Sequence, residues 1–355
     1  MDDSVTLIVP IRDRDAWRVE KLVGSLRLHG GDPLVMLVDY GSTKPFAERY
    51  AAISRSLGLE YERMETEGRP WNKCLAINHG VRLAKGEHVC TVDADVFFSS
   101  NPLPYCLENS DGRKMFHIDT YWLGKDCDVS AARPAGRGNP GGFQFVRKGA
   151  FEESGGYDER IVFWGLEDLD WPRRLAELGY EEVWLPEQYK IFHQWHASSA
   201  SGPGRPATAS FDTMRHCLAN RINPILRQDW GRSVGPSDRP ILSMLGSRSP
   251  DVVRINKNAL MHYGNLDILL DTRGPDRFVK LELGSRLVKR PLSRFAGAAK
   301  TVLRPITALA GLDCDDKTNR NFDYFYAMLP VLVGNGLADY FISRDLSEAF
   351  LYWAR

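Results

Sequence analysis

The N-terminal hundred residues alternate short apolar runs with segments of helical spacing, and this alternation constrains the fold more than any other feature. Apolar runs that predict buried strands occupy residues 5–10, 33–38 and 87–92, and a short strand is predicted over 59–63. Helical spacing occupies residues 15–28, 46–57 and 71–84. Such a βαβαβαβ order predicts an α/β fold with a mostly parallel, twisted sheet flanked by helices. Ligands of such sheets gather beyond the carboxyl ends of the strands.

Polar residues follow three of the predicted strands. Pro10 and Arg12 end the first, Asp39 ends the second, and Asp93 and Asp95 end the fourth. Because these strand ends share one edge of the sheet, we expect the three clusters to form one site.

The two carboxylates of Asp93-Ala94-Asp95 are spaced i, i+2 and share a face where the strand stops. Close carboxylates repel, and a divalent cation with phosphate oxygens relieves that repulsion. The alternative is a simple strand-end turn, where Asp is common.

A second cluster of acids lies at Glu167, Asp168 and Asp170, just after the aromatic-glycine turn Phe163-Trp164-Gly165. Acids at the start of a helix cap free amides, but that role accounts for one of the three. The indole suits stacking on a sugar ring, and a carboxylate beside it could accept a proton from an attacking hydroxyl.

His193 and His196 follow a predicted strand at i, i+3 spacing and could converge on one ion. A lone histidine there would be structural, but a pair in a chain that also carries a D-x-D triplet indicates metal binding.

These motifs, in this order, resemble the GT-A fold glycosyltransferases over about residues 4–200. The resemblance is to the β-1,4-galactosyltransferase group and to bacterial family 2 enzymes, including chondroitin-polymerase-type domains. It implies an inverting, Mn²⁺-dependent (or Mg²⁺-dependent) transferase that moves a hexose or N-acetylhexosamine from a nucleotide sugar, most often a UDP-sugar, to an acceptor hydroxyl.

The resemblance also assigns roles to individual positions. It implies a catalytic base at Asp168, with a hydroxyl contact at Glu167. Acceptor contacts are implied at Gly142, Trp164 and Asp168. The metal ligands it implies are Asp95, His193 and His196, with Asp93 shared between the ion and the ribose. The donor contacts it implies are Pro10, Arg12, Arg14, Asp39, Lys73, Asp93, Trp164 and Gly165.

Two positions depart from the family pattern. Asp39-Tyr40-Gly41-Ser42 stands where family 2 enzymes carry Asp-Asp-Gly-Ser, which affects base recognition. Leu166 stands where galactosyltransferases carry glycine, which affects the identity of the sugar.

Composition limits which other classes of protein the chain could belong to. The 46 basic and 46 acidic residues give no net charge that would indicate nucleic acid. The six cysteines are widely spaced, which argues against a disulfide framework or a zinc knuckle. Without a leader-like start or an apolar span, the sequence predicts a cytoplasmic protein.

We expect two domains: a GT-A domain over residues 1–230 and a mainly helical accessory domain over 231–355, for acceptor binding or oligomerisation. Helices are predicted within 322–352. A basic run over 277–304 is either a solvated helix face or a dock for an anionic partner. The acceptor could be a glycan, a lipid-linked sugar or a modified nucleic acid.

Two other functions fit parts of the pattern. A nucleotidyltransferase also uses a D-x-D triplet, but the first strand is not followed by its glycine-rich loop. A non-catalytic sugar-binding module would have no need of both histidines, the D-x-D pair and Asp168 together.

Overall fold

A computed structural model of the chain describes residues 2–136, 140–163, 165–196, 213, 216–220, 223, 230–255, 272–283, 329, 332–343 and 348–354. The chain forms two compact units, the first reaching Gly235 and the second beginning at Pro236.

The first unit alternates strands and helices along the chain. Its strands are β1 (Asp2–Ile11), β2 (Pro33–Tyr40), β3 (Glu60–Met64), β4 (His88–Val92), β5 (Val96–Phe98), β6 (Lys114–His117), β7 (Asp119–Trp122), β8 (Arg133–Pro134), β9 (Phe143–Arg147), β10 (Glu181–Trp184) and β11 (Lys190–His193). Its helices are α1 (Trp17–Leu28), α2 (Lys44–Leu57), α3 (Lys73–Leu83), α4 (Leu103–Asn109), α5 (Gly149–Ser154) and α6 (Glu167–Glu177).

Seven strands form the central sheet in the order β10-β6-β9-β4-β1-β2-β3. The strands are parallel except β9, which runs antiparallel between β4 and β6. Because β1, β2 and β4 are neighbours, their carboxyl ends share one edge. The predicted α/β sheet is therefore confirmed, and the strand-end clusters lie along one rim.

Both faces of the sheet are covered, as the unbroken apolar strands require. Val5, Leu7 and Val9 of β1 pack into one core cluster and Ile8 into the other. Helix α3 approaches the second face so closely that a Cβ on Gly80 would lie 2.7 Å from Ile8 Cγ2. This close packing fixes the position of α3, and with it the α3 N-terminus, relative to the sheet.

A small second sheet, β5-β11-β7-β8, stands beside the rim. Strand β5 begins directly after Asp95 and pairs antiparallel with β11, so that Val96 faces His193. The segment predicted as a loop over 125–142 contains one short element of this sheet, β8. This pairing brings the D-x-D turn to the end of the histidine strand.

The second unit contains helix α7 (Pro240–Met244) and strands β12 (Asp251–Ile255), β13 (Arg277–Leu283), β14 (Leu337–Ile342) and β15 (Glu348–Trp353). These strands form one sheet in the order β12-β13-β15-β14. The expectation of helices is wrong for residues 337–353. Burial in β15 alternates residue by residue, with Ala349, Leu351 and Trp353 buried, and that period of two is a strand pattern.

Several expectations fall wholly or partly outside the described residues. These are Trp164, part of the helices predicted within 322–352, and the basic run beyond Leu283. Within the run's described part, Arg277 pairs with Asp251 and Lys280 with Glu348. The anionic partner stays a prediction.

Two absences hold for the described part of the chain. None of its helices combines the length and apolarity needed to cross a bilayer. Its cysteines, Cys74, Cys90, Cys106, Cys127 and Cys217, are free thiols.

Candidate active site

Asp95, His193 and His196 converge at the end of β11. Nε2 of His196 lies 3.1 Å from Asp95 Oδ2, and Nε2 of His193 lies 3.4 Å from Asp95 Oδ1. One ligand atom from each residue lies within 4.8 Å of the others. The backbone fixes this cluster, because the Gln194 amide donates to the Asp95 carbonyl at 2.8 Å.

The charge environment of Asp95 favours its ionised form. Burial alone would raise the pKa of Asp95, but the hydrogen bond from His196 and the charges of His193, His196 and Arg14 lower it to about 2. One carboxylate and two imidazoles form a donor set that suits a divalent metal ion. The predicted grouping of these three residues is therefore present.

Asp93 lies outside that group. Its Oδ1 lies 2.6 Å from Nζ of Lys73, at the start of α3, and the same ammonium lies 3.4 Å from Glu167 Oε1. Burial opposes the charge on Lys73, but the carboxylates of Asp93, Glu167 and Asp168 raise its pKa well above the ordinary lysine value. Lys73 thus joins the D-x-D turn to the start of α6, while a ligand role for Asp93 stays a prediction.

A strained turn leads into α6. Phe163 and Leu166 have φ of +72° and +69°, a region that side chains with a Cβ rarely occupy. The turn is held by two hydrogen bonds: Phe163 N donates to Trp71 O at 2.7 Å, and Gly165 N donates to Glu167 Oε2 at 2.9 Å. Glu167 therefore uses both carboxylate oxygens, one on the turn and one on Lys73. The predicted acidic start of α6 is confirmed.

Asp168, in the first turn of α6, has a raised pKa. Burial, followed by the charge of Glu167, raises its pKa to about 7, with Lys73 acting in the opposite direction. A carboxylate with such a pKa is suited to proton transfer near neutral pH. None of the described side chains forms an ion pair with it.

The backbone of Asp168 is tied to the sheet through Gln144 of β9. Pro172 has no amide hydrogen, so the helix leaves the Asp168 carbonyl, four residues earlier, without its usual donor. Gln144 Nε2 donates to that carbonyl at 2.9 Å, and the Tyr157 hydroxyl donates to Gln144 Oε1. The sequence offered one signal for this role, a buried glutamine in an otherwise apolar strand.

The predicted donor residues of the first strands lie at the same rim. Arg12 Nη1 donates to the Arg69 carbonyl at 2.7 Å, and the charge of Arg14 acts on Asp95. Pro10 is buried within β1. Asp39 is fully buried, accepting from Tyr61 at 2.8 Å and Arg63 at 3.0 Å. Its role with a base or ribose stays a prediction.

Gly142 is buried beside the cluster. Its carbonyl accepts the Asp93 amide at 3.3 Å, and a Cβ there would lie 3.0 Å from Ile191 Cδ1. Its φ of +93° also requires glycine. Gly142 therefore shapes the D-x-D turn, whereas its contact with an acceptor stays a prediction. Nearby, the Asn72 side chain accepts the Leu75 amide and so caps α3, and Asn78 Nδ2 donates to the Tyr157 carbonyl.

Comparisons with known proteins find similarity in the first part of the chain. A family model described as Glycosyl transferase family 2 matches residues 6–153, the segment that contains β1 to β9 and the D-x-D turn. No curated protein sequence matches the chain. The match, together with the helix-flanked mixed sheet, confirms the GT-A fold that the sequence predicts.

Solved structures are similar to parts of the chain. GalNAc-T7 with UDP, GalNAc and Mn²⁺ is 18% identical over 56% of this chain and 46% of its own, with a TM-score of 0.43. TarS 1–349 of S. aureus with UDP-GlcNAc is 18% identical over 63% of this chain and 68% of its own, with a TM-score of 0.44. The catalytic domain of Drosophila β1,4-galactosyltransferase 7 with xylobiose is 18% identical over 52% of this chain and 65% of its own, with a TM-score of 0.36. The chain thus spans less than half of the GalNAc-T7 chain.

Proposed function

We propose that the chain is a glycosyltransferase that transfers a sugar from a UDP-sugar to an acceptor hydroxyl with inversion, a proposal supported by the Glycosyl transferase family 2 model that matches residues 6–153. The observation that carries this proposal is the juxtaposition, on one rim, of a carboxylate–imidazole cluster and a carboxylate with a pKa of about 7. The carboxylate–imidazole cluster could hold a metal ion that binds a diphosphate, and the Asp168 carboxylate could deprotonate a hydroxyl.

The donor side rests on residues that would hold a metal ion. Asp95, His193 and His196 provide three ligand atoms within 4.8 Å of one another, which fits Mn²⁺ or Mg²⁺. When bound, such an ion supplies positive charge that stabilises a diphosphate leaving group. Arg12 and Arg14 would add charge on the same side, where the nucleotide is expected.

The acceptor side rests on Asp168. As the carboxylate, it accepts the proton of the acceptor hydroxyl while that oxygen attacks the anomeric carbon and the bond to the diphosphate breaks. A single displacement of this kind inverts the anomeric configuration. Lys73 holds Asp93 and Glu167 in place, and Gln144 fixes the backbone of Asp168.

A donor screen tests the donor half of the proposal. The full chain is titrated with UDP-Glc, UDP-Gal, UDP-GlcNAc and UDP-GalNAc in Mn²⁺ or in EDTA, with GDP-mannose as the contrasting donor. A bound donor raises the melting temperature by mass action. We expect at least one UDP-sugar to stabilise the protein in Mn²⁺ and none to do so in EDTA. No response to any UDP-sugar would contradict the proposal.

Asp168→Asn tests the base. Asparagine keeps the shape of the side chain but cannot accept the proton, so we expect UDP-sugar binding to remain and turnover to fall by at least about 100-fold. Asp111→Asn is the matched control, since Asp111 is an exposed aspartate that accepts the Arg113 amide. Normal turnover by the Asp168 variant would remove it from the base role.

A further inference from the structure

Trp122, at the end of β7, is an exposed indole beside the cation cluster. Its side chain is 49% exposed, although burying a large aromatic is ordinarily favourable. In the parallel pair of β7 and β11, Trp122 is the register partner of His193. The two rings stack with centroids 4.9 Å apart and planes at 28°.

The stack leaves one face of the indole covered and the other open. His193 packs against one face, and the remaining exposure is too large for a ring enclosed on both sides. Anything lying on the open face is separated from His193 by the thickness of one indole. The open face therefore lies on the side of the indole turned away from His193, one ring's thickness from a proposed metal ligand.

A second exposed indole stands at the same end of these strands. Trp195 is 41% exposed, and Lys125 Nζ lies 4.9 Å from its ring centroid. The Leu123 amide donates to the His193 carbonyl at 3.0 Å, so the segments after β7 and β11 run side by side. Two exposed indoles thus lie at this end of β7 and β11, Trp122 against His193 and Trp195 between the two histidines in the chain.

An indole with one open face beside this site is suited to binding a sugar ring. The flat face of a pyranose presents C–H groups, which pack against an aromatic face, while its hydroxyls remain in water or bond to polar neighbours. Exposed aromatic patches with a polar surround are typical of binding sites. A side chain needed only to orient His193 could be buried on both faces.

We propose that Trp122 is an acceptor subsite, on whose open face a pyranose ring of the acceptor glycan stacks. This inference rests on the proposed function, because it assumes that the reaction next to His193 consumes a sugar acceptor. It assigns to Trp122 the recognition of a ring, while Asp168 receives the proton.

The test measures sugar and nucleotide binding separately. The probes are the methyl β-D-glycosides of glucose, galactose and N-acetylglucosamine, chosen because they carry no aromatic aglycone. Their affinities for the full chain with UDP and Mg²⁺ are measured by saturation-transfer NMR, and UDP binding in Mg²⁺ is measured by calorimetry. The variants are Trp122→Leu and Trp122→Tyr. The control is Trp17→Leu, since Trp17 is 45% exposed and its ring lies against Arg18.

We expect at least one glycoside to bind the wild type and Trp122→Leu to weaken it about 3- to 10-fold. Trp122→Tyr, which keeps an aromatic face, should stay within about twofold, as should Trp17→Leu. UDP affinity should be unchanged in every variant.

Three outcomes would overturn the subsite: no glycoside binds the wild type, the Leu and Tyr variants behave alike, or Trp122→Leu loses UDP affinity together with the glycoside. The last would make Trp122 a support for His193. Failure of UDP to bind the wild type would count against the proposed function alone, since the glycoside measurements judge the subsite independently.

Discussion

Asp168 owes its raised pKa to burial first and to the charge of Glu167 second, while the ammonium of Lys73 acts against both. Two acids, Glu167 and Asp93, and one lysine therefore act together with burial on the protonation of a single carboxylate. A substitution that removes one of these charges should therefore shift the pH dependence of activity.

Activity should rise with pH. The base must be ionised to accept a proton, so turnover should fall about tenfold per pH unit below the Asp168 pKa of about 7 and level off above it. The measurement is kcat against pH with saturating donor and acceptor. A profile that is flat between about pH 5 and pH 9 would contradict a base of this pKa.

The same pKa shift has a stability consequence of opposite sign. Because the folded pKa of Asp168 lies above its unfolded value, folding is favoured by protonation and loses stability as pH rises toward about 7. Asp168→Asn should therefore raise the melting temperature more at pH 8 than at pH 5. An equal effect at both pH values would indicate that the carboxyl group is not desolvated.

Lys73→Met should disturb both stability and the pH profile. It leaves the carboxylates of Asp93 and Glu167 without their cation, at a cost of about 2–3 kcal/mol. Since the carboxylates raise the pKa of Lys73 above its ordinary value of 10.5, this stabilisation is fully present below that value and is lost as pH rises from it through the raised pKa. Loss of the ammonium should also move the pH–activity limb to higher pH.

Lys85→Met is the matched control for Lys73. Lys85 lies 2.6 Å from Glu60 but is 71% exposed, so its removal should cost less than about 1 kcal/mol. Chemical denaturation at neutral pH compares the two variants. Equal costs would mean that the Lys73 pairs are as solvated as a surface pair.

At the scale of elements, α6 depends on β9 for its position. Pro172 removes one helical hydrogen bond and Gln144 replaces it from the sheet, with Tyr157 as the next member of the chain. A helix that begins in a strained turn is therefore anchored where its first turn carries Asp168.

A double-mutant cycle tests this anchor. Gln144→Leu should cost about 2–3 kcal/mol because two buried groups lose their partner, and Tyr157→Phe should cost about 1 kcal/mol. The double variant should cost less than the sum, since both act on one network. Gln144→Leu should also lower kcat more than it weakens UDP binding. Strict additivity would show that the two side chains act separately.

At the scale of the whole molecule, the chain comprises two units with separate cores. The second is held by a fully buried ion pair, in which Arg239 Nε lies 3.0 Å from Asp339 Oδ1. Asp339 also accepts the amides of Tyr340, at 2.8 Å, and Ile241, at 3.3 Å. Its carboxylate therefore joins α7 to β14.

Asp339→Ala should open the second unit selectively. It removes the carboxylate that balances the charge of the buried Arg239 guanidinium, a change that costs about 3–5 kcal/mol. Hydrogen-exchange mass spectrometry should show lost protection in peptides over 337–353, with peptides over 5–11 and UDP binding retained. Asp276→Ala, which removes an exposed pair with Arg248, is the control. Equal loss of protection in both units would show that they unfold as one.

The features that depend on local sequence pattern were predicted, whereas those that depend on contacts between distant residues were not. The strands of residues 5–10 and 33–38 were predictable because a run buried on both faces is apolar throughout. The strand-end positions of Asp39, Asp93 and Asp95 followed from the same pattern. The pairing of Asp95 with His193 and His196 was suggested by residue type and by family resemblance.

By itself, the sequence determined the alternation of elements and the rim at which polar residues collect, and its motifs suggested the proposed glycosyltransferase activity. Only the tertiary structure decided that Asp93 turns to Lys73, that Gln144 completes α6, and that residues 337–353 form strands. Each of these depends on partners distant in the chain, and the period of two in β15 becomes a strand because β13 and β14 lie on either side of it. Local patterns limit which face of an element is buried, but the contact that buries it is decided by the rest of the fold.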